Sequence, residues 1–332
     1  MTGATRGAVT DRTTNRWLSR RSLPATVVFL GLLVLPLVAV FGAEGYVLSL
    51  VTRIMILAIA AISLDLLVGQ AGLVSFGHAA FLGLGAYTTG IMLTEGVTEV
   101  ALILPMVVAT SGAFALLTGL VCLRTSGVYF IMITLAFGQM LFFVASSLSA
   151  YGGDDGLTLW ASPTLLGTEL LASDRGLYAF TFVALFGSFL FAHGLRVSRF
   201  GRVLRATREN ELRCAALGYD VVRIRIVAYV IAGTLAGIAG CLLALQAEFV
   251  SPATMSWQRS GELIAMVVLG GMGTPTGALL GAIAFALLEV GLADVTQHWK
   301  LVFGPLLVLA VIYFKGGLAG LVGVHDRDDH RG

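Results

Sequence analysis

The sequence predicts an all-α, polytopic transmembrane bundle of about ten spans, or eight to nine if its shortest segments do not cross. Three observations predict it. Over 332 residues, 57% are hydrophobic and only 12% charged, with a mean hydropathy of +0.91. Soluble proteins average about 45–50% apolar and about 25% charged residues, so a soluble core of this size is excluded. Apolar windows long enough to act as membrane helices recur along the chain, and the arginines cluster at a few of the joints between them.

A helix of about 20 apolar residues crosses a hydrocarbon layer about 30 Å thick. Such windows lie at 24–42, 47–68, 73–93, 100–121, 127–148, 177–195, 226–247, 260–271, 277–293 and 301–314. Residues 1–23 form a basic tail carrying Arg6, Arg12, Arg16, Arg20 and Arg21. The apolar run behind it exceeds the about 7–15 residues of a secretory leader and lacks a clean small-x-small cleavage site, which reads as a retained anchor. The eighth window is short and abuts Gly270 to Gly277, as a broken or re-entrant helix would. The transmembrane domain is expected over 24–320, followed by a charged tail over 321–332, where His325 and His330 among aspartates read as solvated.

Arg124 follows the fourth window, an eight-arginine loop (Arg196 to Arg225) follows the sixth, and Lys315 follows the last. Glu44, Glu95, Glu99, Asp154, Asp155, Glu169, Asp174, Glu248 and Asp294 occupy the intervening turns. Positive residues favour the cytoplasm, so both termini are expected inside and the number of spans even. Cys122, Cys214 and Cys241 have no framework or zinc spacing and read as isolated thiols.

Glycine is abundant (41 residues) and concentrated in apolar segments. Pairs such as Gly233/Gly237 and Gly277/Gly281 are expected to be helix contact faces. The run from Gly69 to Phe81 differs, because it sets Gln70, Ser75 and His78 among helix-loosening glycines. Polar side chains and irregular backbone survive at membrane depth only where protein or a watery cavity satisfies them. Ser75, Gly77 and His78, with Tyr129, Thr134 and Gln139 farther on, are the candidate path-lining set, although nothing in the sequence brings them to one cavity. A lone His78 is more often a hydrogen-bonded packing residue than a working one. Arg53 and Asp65 lie about 18 Å apart along the second window and do not pair. Each is expected near a span end, within reach of headgroups or loop partners.

The arginine loop predicts a short helix from about Leu204 to Leu217, stopped by Gly218. Such a helix suits a groove on a cytoplasmic partner, with Arg205, Arg208, Glu209, Glu211, Ala215, Ala216 and Gly218 as candidate coupling residues. The alternative is orientation and headgroup contact alone. The chain has no Gly-x-x-x-x-Gly-Lys-Ser/Thr motif, so it is not itself the nucleotide hydrolase.

Three blocks resemble the LivM-type permease subunit of branched-chain amino acid ABC importers: Leu66 to Tyr87, Gly201 to Gly218, and Val267 to Thr274 with Val250-Ser251-Pro252 before it. Smaller similarities are Tyr129-Phe130, Thr134 to Phe137 and Gly152 to Leu157, and together they cover roughly residues 46 to 320. The sequence departs from that family in ending with Lys315-Gly316-Gly317-Leu318 instead of a proline-containing string, and in having Arg213-Cys214-Ala215-Ala216 where an acidic residue usually precedes the alanines. The resemblance implies a non-enzymatic permease in the bacterial inner membrane. Its implied partners are a homologous second permease, two ATP-binding cassette ATPases that use ATP and Mg, an extracytoplasmic solute-binding protein and membrane lipid; no cofactor of its own and no nucleic acid are expected. On that reading the binding protein docks on the outer loop 149–176, which otherwise is a hydrated turn. Urea or short amides are alternative cargoes. An ion-coupled secondary transporter, using Asp65, Glu262 or Glu289, and an intramembrane hydrolase built on Ser75 and His78 are the rival classes.

Overall fold

The computed structural model describes residues 23–39, 44–165, 167–295, 298–313 and 316–321. The basic start, the charged end with His325 and His330, and Lys315 lie outside the described residues. In chain order the helices are α1 (Leu23–Ala39), α2 (Glu44–Asp65), α3 (His78–Thr94), α4 (Val100–Cys122), α5 (Val128–Ser147), α6 (Asp174–Val197), α7 (Arg199–Glu209), α8 (Glu211–Ala216), α9 (Val221–Ala247), α10 (Trp257–Gly270), α11 (Pro275–Val295), α12 (Trp299–Tyr313) and α13 (Gly317–Leu321). A π-helical turn, Leu66–Ala71, prolongs α2, and a two-stranded antiparallel pair, β1 (Leu157–Thr158) with β2 (Phe249–Val250), ties two loops together at one end of the bundle.

Each predicted apolar window is a helix. Among the described residues six are long and apolar enough to cross a membrane: α2 with its π turn, α4, α5, α6, α9 and α11. The other four are shorter, at 17 residues for α1 and α3, 14 for α10 and 15 for α12. At about 1.5 Å per residue α10 spans about 21 Å, less than a hydrocarbon layer. That agrees with the short eighth window.

Local chemistry sets several boundaries. Ser173, Ser198, Asn210, Asp220 and Ser256 each accept a hydrogen bond from the backbone N–H three residues on, capping α6, α7, α8, α9 and α10. The α3 helix begins at His78, not at residue 73 as the apolar window suggests, because Gly72 takes a left-handed conformation (φ 71°) and Gly77 lies flush against the Thr134 carbonyl. Glu248 ends α9 at φ 50°, turning the chain into β2.

The core is organised around α2 and α9. From Ile54 to Asp65 every residue of α2 is buried, and α9 is wedged between α3 and α4. Glycine makes this possible: a Cβ on Gly85 would strike the Gly237 carbonyl, one on Gly240 the Leu82 carbonyl, and one on Gly237 the Ser111 hydroxyl. The α10–α11 contact uses Gly270, Gly277 and Gly281 in the same way. Lipid chains are as apolar as leucine, so close backbone packing replaces the hydrophobic drive available in water. In contrast α4, α5 and α6 leave most of their apolar surface exposed. The three cysteines are free and buried.

At the β1–β2 end, residues 148–165 and 167–173 connect α5 to α6. Leu159 and Leu171 are buried, while Asp154, Asp155 and Trp160 face outward. Tyr151 donates to Glu95 Oε1 at 3.1 Å, and that carboxylate raises the phenol above its ordinary range.

Gly240→Val should drive α3 and α9 apart and destabilise the chain by about 1–3 kcal/mol or more. Gly187→Val, where a Cβ meets nothing within 4 Å, should be neutral. Thermal unfolding of the isolated chain in detergent distinguishes the two, and equal behaviour would remove close α3–α9 packing as a determinant of stability.

Candidate functional site

The candidate site is built where the arginine loop meets the end of α2. Ser198 turns the chain from α6 into α7, and Gly201 fits only because it has no side chain to meet the Leu195 carbonyl. Gly201, Leu204 and Thr207 are the buried residues of α7. Its arginines recur every three residues, slightly less than one helical turn, so they fan around the helix.

Arg208 points back into the bundle. Its Nη1 donates to the Gly69 carbonyl at 2.5 Å, within the π turn, and its aliphatic stem covers Gly72, where a Cβ would lie 2.8 Å from Arg208 Cγ. A π turn frees carbonyls from the regular α ladder and often marks functional sites. Here one of those carbonyls is satisfied by a guanidinium from the loop.

Asp65, at the end of α2, accepts a 2.6 Å bond from Gly273 N in the turn between α10 and α11. The charges of Arg196 and Arg208 bear on its carboxylate. Gly69 faces both the Asp65 carboxylate and the Gly273 backbone, leaving no room for a side chain. Four segments therefore meet at one point: the end of α2, the π turn, α7 and the α10–α11 turn. Asp65 has the loop partner expected of it: the residue ends α2, is buried, and accepts from a loop amide. The expectation for Arg53 is corrected, because the residue pairs with Glu289 of α11 at 3.3 Å.

The single helix expected from Leu204 to Leu217 is two helices. Asn210 leaves helical geometry (φ −154°, ψ 102°) and caps α8 through Oδ1, which accepts from Arg213 N at 2.9 Å. A short amide side chain competes well for backbone donors at this position and breaks the run. The start of α9 clamps both pieces, with Arg225 Nη1 on Glu211 Oε2 at 2.9 Å and Nη2 on the Thr207 carbonyl at 3.3 Å.

The candidate coupling residues therefore divide. Arg208 and Glu211 are exposed yet bond to the bundle, Arg205 is half-buried, and Glu209, Ala215, Ala216 and Gly218 are exposed. Beside the alanines stand Leu212 and Leu217, 83% and 71% exposed, while Cys214 is buried beneath them. Gly218 has φ 87° and turns the chain toward α9. Sequence reasoning assigned no role to Arg225, Leu212 or Leu217. Two leucines flanking the alanines in an otherwise charged loop were the available signal.

The path-lining set is only partly brought together. Ser75, Gly77, His78 and Thr134 are buried in one region where α3 meets α5. His78 Nε2 lies 2.8 Å from Ser63 Oγ of α2, so its partner is not Ser75. Gln139 is half-buried, and Tyr129 is 73% exposed on the outer side of α5.

Residues 46–312 match the family described as the permease component of the branched-chain amino acid transport system. The chain belongs to that family. The permease is 31% identical over 310 residues, 86% of its own length and 73% of the relative's, to the protein named high-affinity branched-chain amino acid transport system permease protein LivM of Escherichia coli. It is 31% identical over 293 residues, 81% and 69% of the two chains, to the protein of that name from Salmonella typhimurium. At 28% identity over 242 residues, 70% and 61% of the two chains, it is similar to the autoinducer 2 import system permease protein LsrC of Klebsiella pneumoniae. No solved structure matches it.

Asp65→Ala should strand the Gly273 amide, lowering stability by about 1–3 kcal/mol. Asp65→Asn keeps an acceptor and should lose less. Unfolding midpoints of the two variants that coincide with the native chain would show that this junction carries no load.

Proposed function

We propose that this permease is the membrane subunit of an ATP-driven importer and forms the passage for branched-chain or related small amino acids handed over by an extracytoplasmic binding protein. It crosses the bacterial plasma membrane eight to ten times, with both termini cytoplasmic. A homologous second permease completes the passage, and two ATP-binding cassette subunits supply the work with ATP and Mg. The permease itself catalyses no reaction and binds no cofactor.

The observation that carries this reading is the bond from Arg208 to Gly69. The exposed face of α8, with Leu212, Ala215, Ala216 and Leu217, suits a groove on an ATPase subunit. Arg225 ties α8 to α7, and Arg208 ties α7 to the unwound segment entering α3. Closure of the ATPase pair on ATP favours one position of this train, and release favours the other. A ligand shifts such an equilibrium only through its different affinity for the two states. At the opposite end, Asp154, Asp155 and Trp160 offer the binding protein an exposed rim.

The cargo rests on the named relatives, among which LsrC is named for a different solute. Ion-driven transport is disfavoured because the acids of the spans are engaged: Asp65 with Gly273, Glu262 with Arg259 at 2.7 Å, and Glu289 with Arg53. A hydrolase is disfavoured by the His78–Ser63 pairing.

The complete complex, reconstituted in proteoliposomes, should take up leucine only with ATP and loaded binding protein. Arg208→Gln should lower uptake per ATP hydrolysed by about tenfold through loss of a charge-assisted bond. Gly218→Pro, which forces a backbone held at φ 87° toward about −65°, should uncouple more severely. Uptake driven by an ion gradient without ATP, or a native ratio in both variants, would refute the coupling route.

A further inference from the structure

A cavity of about 450 Å³ opens where the first half of α2 meets the end of α9 and the turn leading into α10. Arg53 and Ser49 of α2, Gln246 of α9, Thr254 of the following turn and Arg259 of α10 line it. Its volume falls in the range of about 300–1,000 Å³ typical of small-molecule sites. Gln246 Nε2 donates to Ser49 Oγ at 2.9 Å.

Two ion pairs meet this cavity. Arg53 and Arg259 line it, and each has a carboxylate partner, Glu289 for the first and Glu262 for the second. The Arg259–Glu262 pair is tight, at 2.7 Å with both side chains 21% exposed; the Arg53–Glu289 pair is looser, at 3.3 Å with Arg53 42% exposed. Arg53 lies about 14 Å along α2 from Glu44, within the depth a hydrocarbon layer covers. A guanidinium this open at such depth belongs beside water or protein and not beside lipid.

We propose that this cavity is the transit site for the zwitterion of an amino acid, its carboxylate held by Arg53 and its ammonium by Glu289, with the Arg259–Glu262 pair fixing the opposite wall. The inference rests on the importer reading and adds the place in the membrane where the solute stops. The two arginines that line the cavity are each paired with a carboxylate outside its lining, Glu289 and Glu262, so their charges are balanced before a zwitterion enters. A loosely made Arg53–Glu289 contact opens at small expense, and each partner regains an opposite charge from the ligand. Urea and simple amides lack the paired charges that compensate for opening it. The apolar side chain then lies along Leu50, Leu243 and Phe249, which share the cavity wall.

The test uses the complete complex in proteoliposomes, with leucine and, separately, urea as probes. Arg53→Gln should raise the KM for leucine by at least about tenfold, as expected for loss of a charged hydrogen-bond partner, and Arg53→Lys should recover part of it. An assembled Arg53→Gln complex with native leucine kinetics overturns the site and leaves the importer reading intact. A native complex that carries urea but not leucine overturns the amino-acid cargo and the zwitterion site with it. If Arg53→Gln does not assemble, Ser49→Cys decides. Delivered leucine should slow its labelling by a charged thiol reagent by about threefold or more at a site where ligand contacts exclude water, whereas an unchanged rate overturns the assignment.

Discussion

A membrane helix that unwinds must satisfy the backbone groups it frees, and here Arg208 takes one of them while Asp65 holds the turn packed beside it. Between α2 and α3 the chain runs as a buried π turn and then as irregular backbone in which Gly72 is exposed. Arg208 supplies a donor to the Gly69 carbonyl, and Asp65 supplies an acceptor for the Gly273 amide. Neither bond is local. Each joins segments more than a hundred residues apart in the chain, so the unwound stretch persists only while the loop and the α10–α11 turn are in place. The glycines at this crossing are required by space: Gly69 lies against the Asp65 carboxylate and Gly273, and Gly72 beneath the Arg208 stem.

The same logic divides the helices into two classes. Buried α2 and α9 carry the small residues and close contacts that hold the bundle. Exposed α4, α5 and α6 present long apolar side chains to their surroundings. Stability resides in the first class, and the second is free to meet lipid or another subunit.

Hydropathy made the helices legible, since each apolar window became one. It misplaced the start of α3, because a left-handed glycine and a close approach to the Thr134 carbonyl are three-dimensional facts. Asn210, whose amide caps α8, lay inside a run read as one continuous helix. The partners of Arg53 and Asp65 were hidden because they lie 236 and 208 residues away in sequence. Tyr129 was grouped with Thr134 by polarity and nearness. In α5 the buried positions are Phe130, Thr134, Gly138 and Ala145, a stripe that leaves Tyr129 one residue out of register.

Among the helices α9 is the longest, at 27 residues, and nothing interrupts it between its Asp220 cap beside the arginine loop and Glu248 at the strand pair. It is a rigid rod about 40 Å long. A tilt of about 5° about one end displaces the other by about 3.5 Å over that length, roughly the thickness of an aromatic ring. The two faces of this protein are thus joined by leverage as well as by a passage: whatever grips the strand pair works on the same beam as whatever grips the loop, and neither can be moved with the other held wholly still.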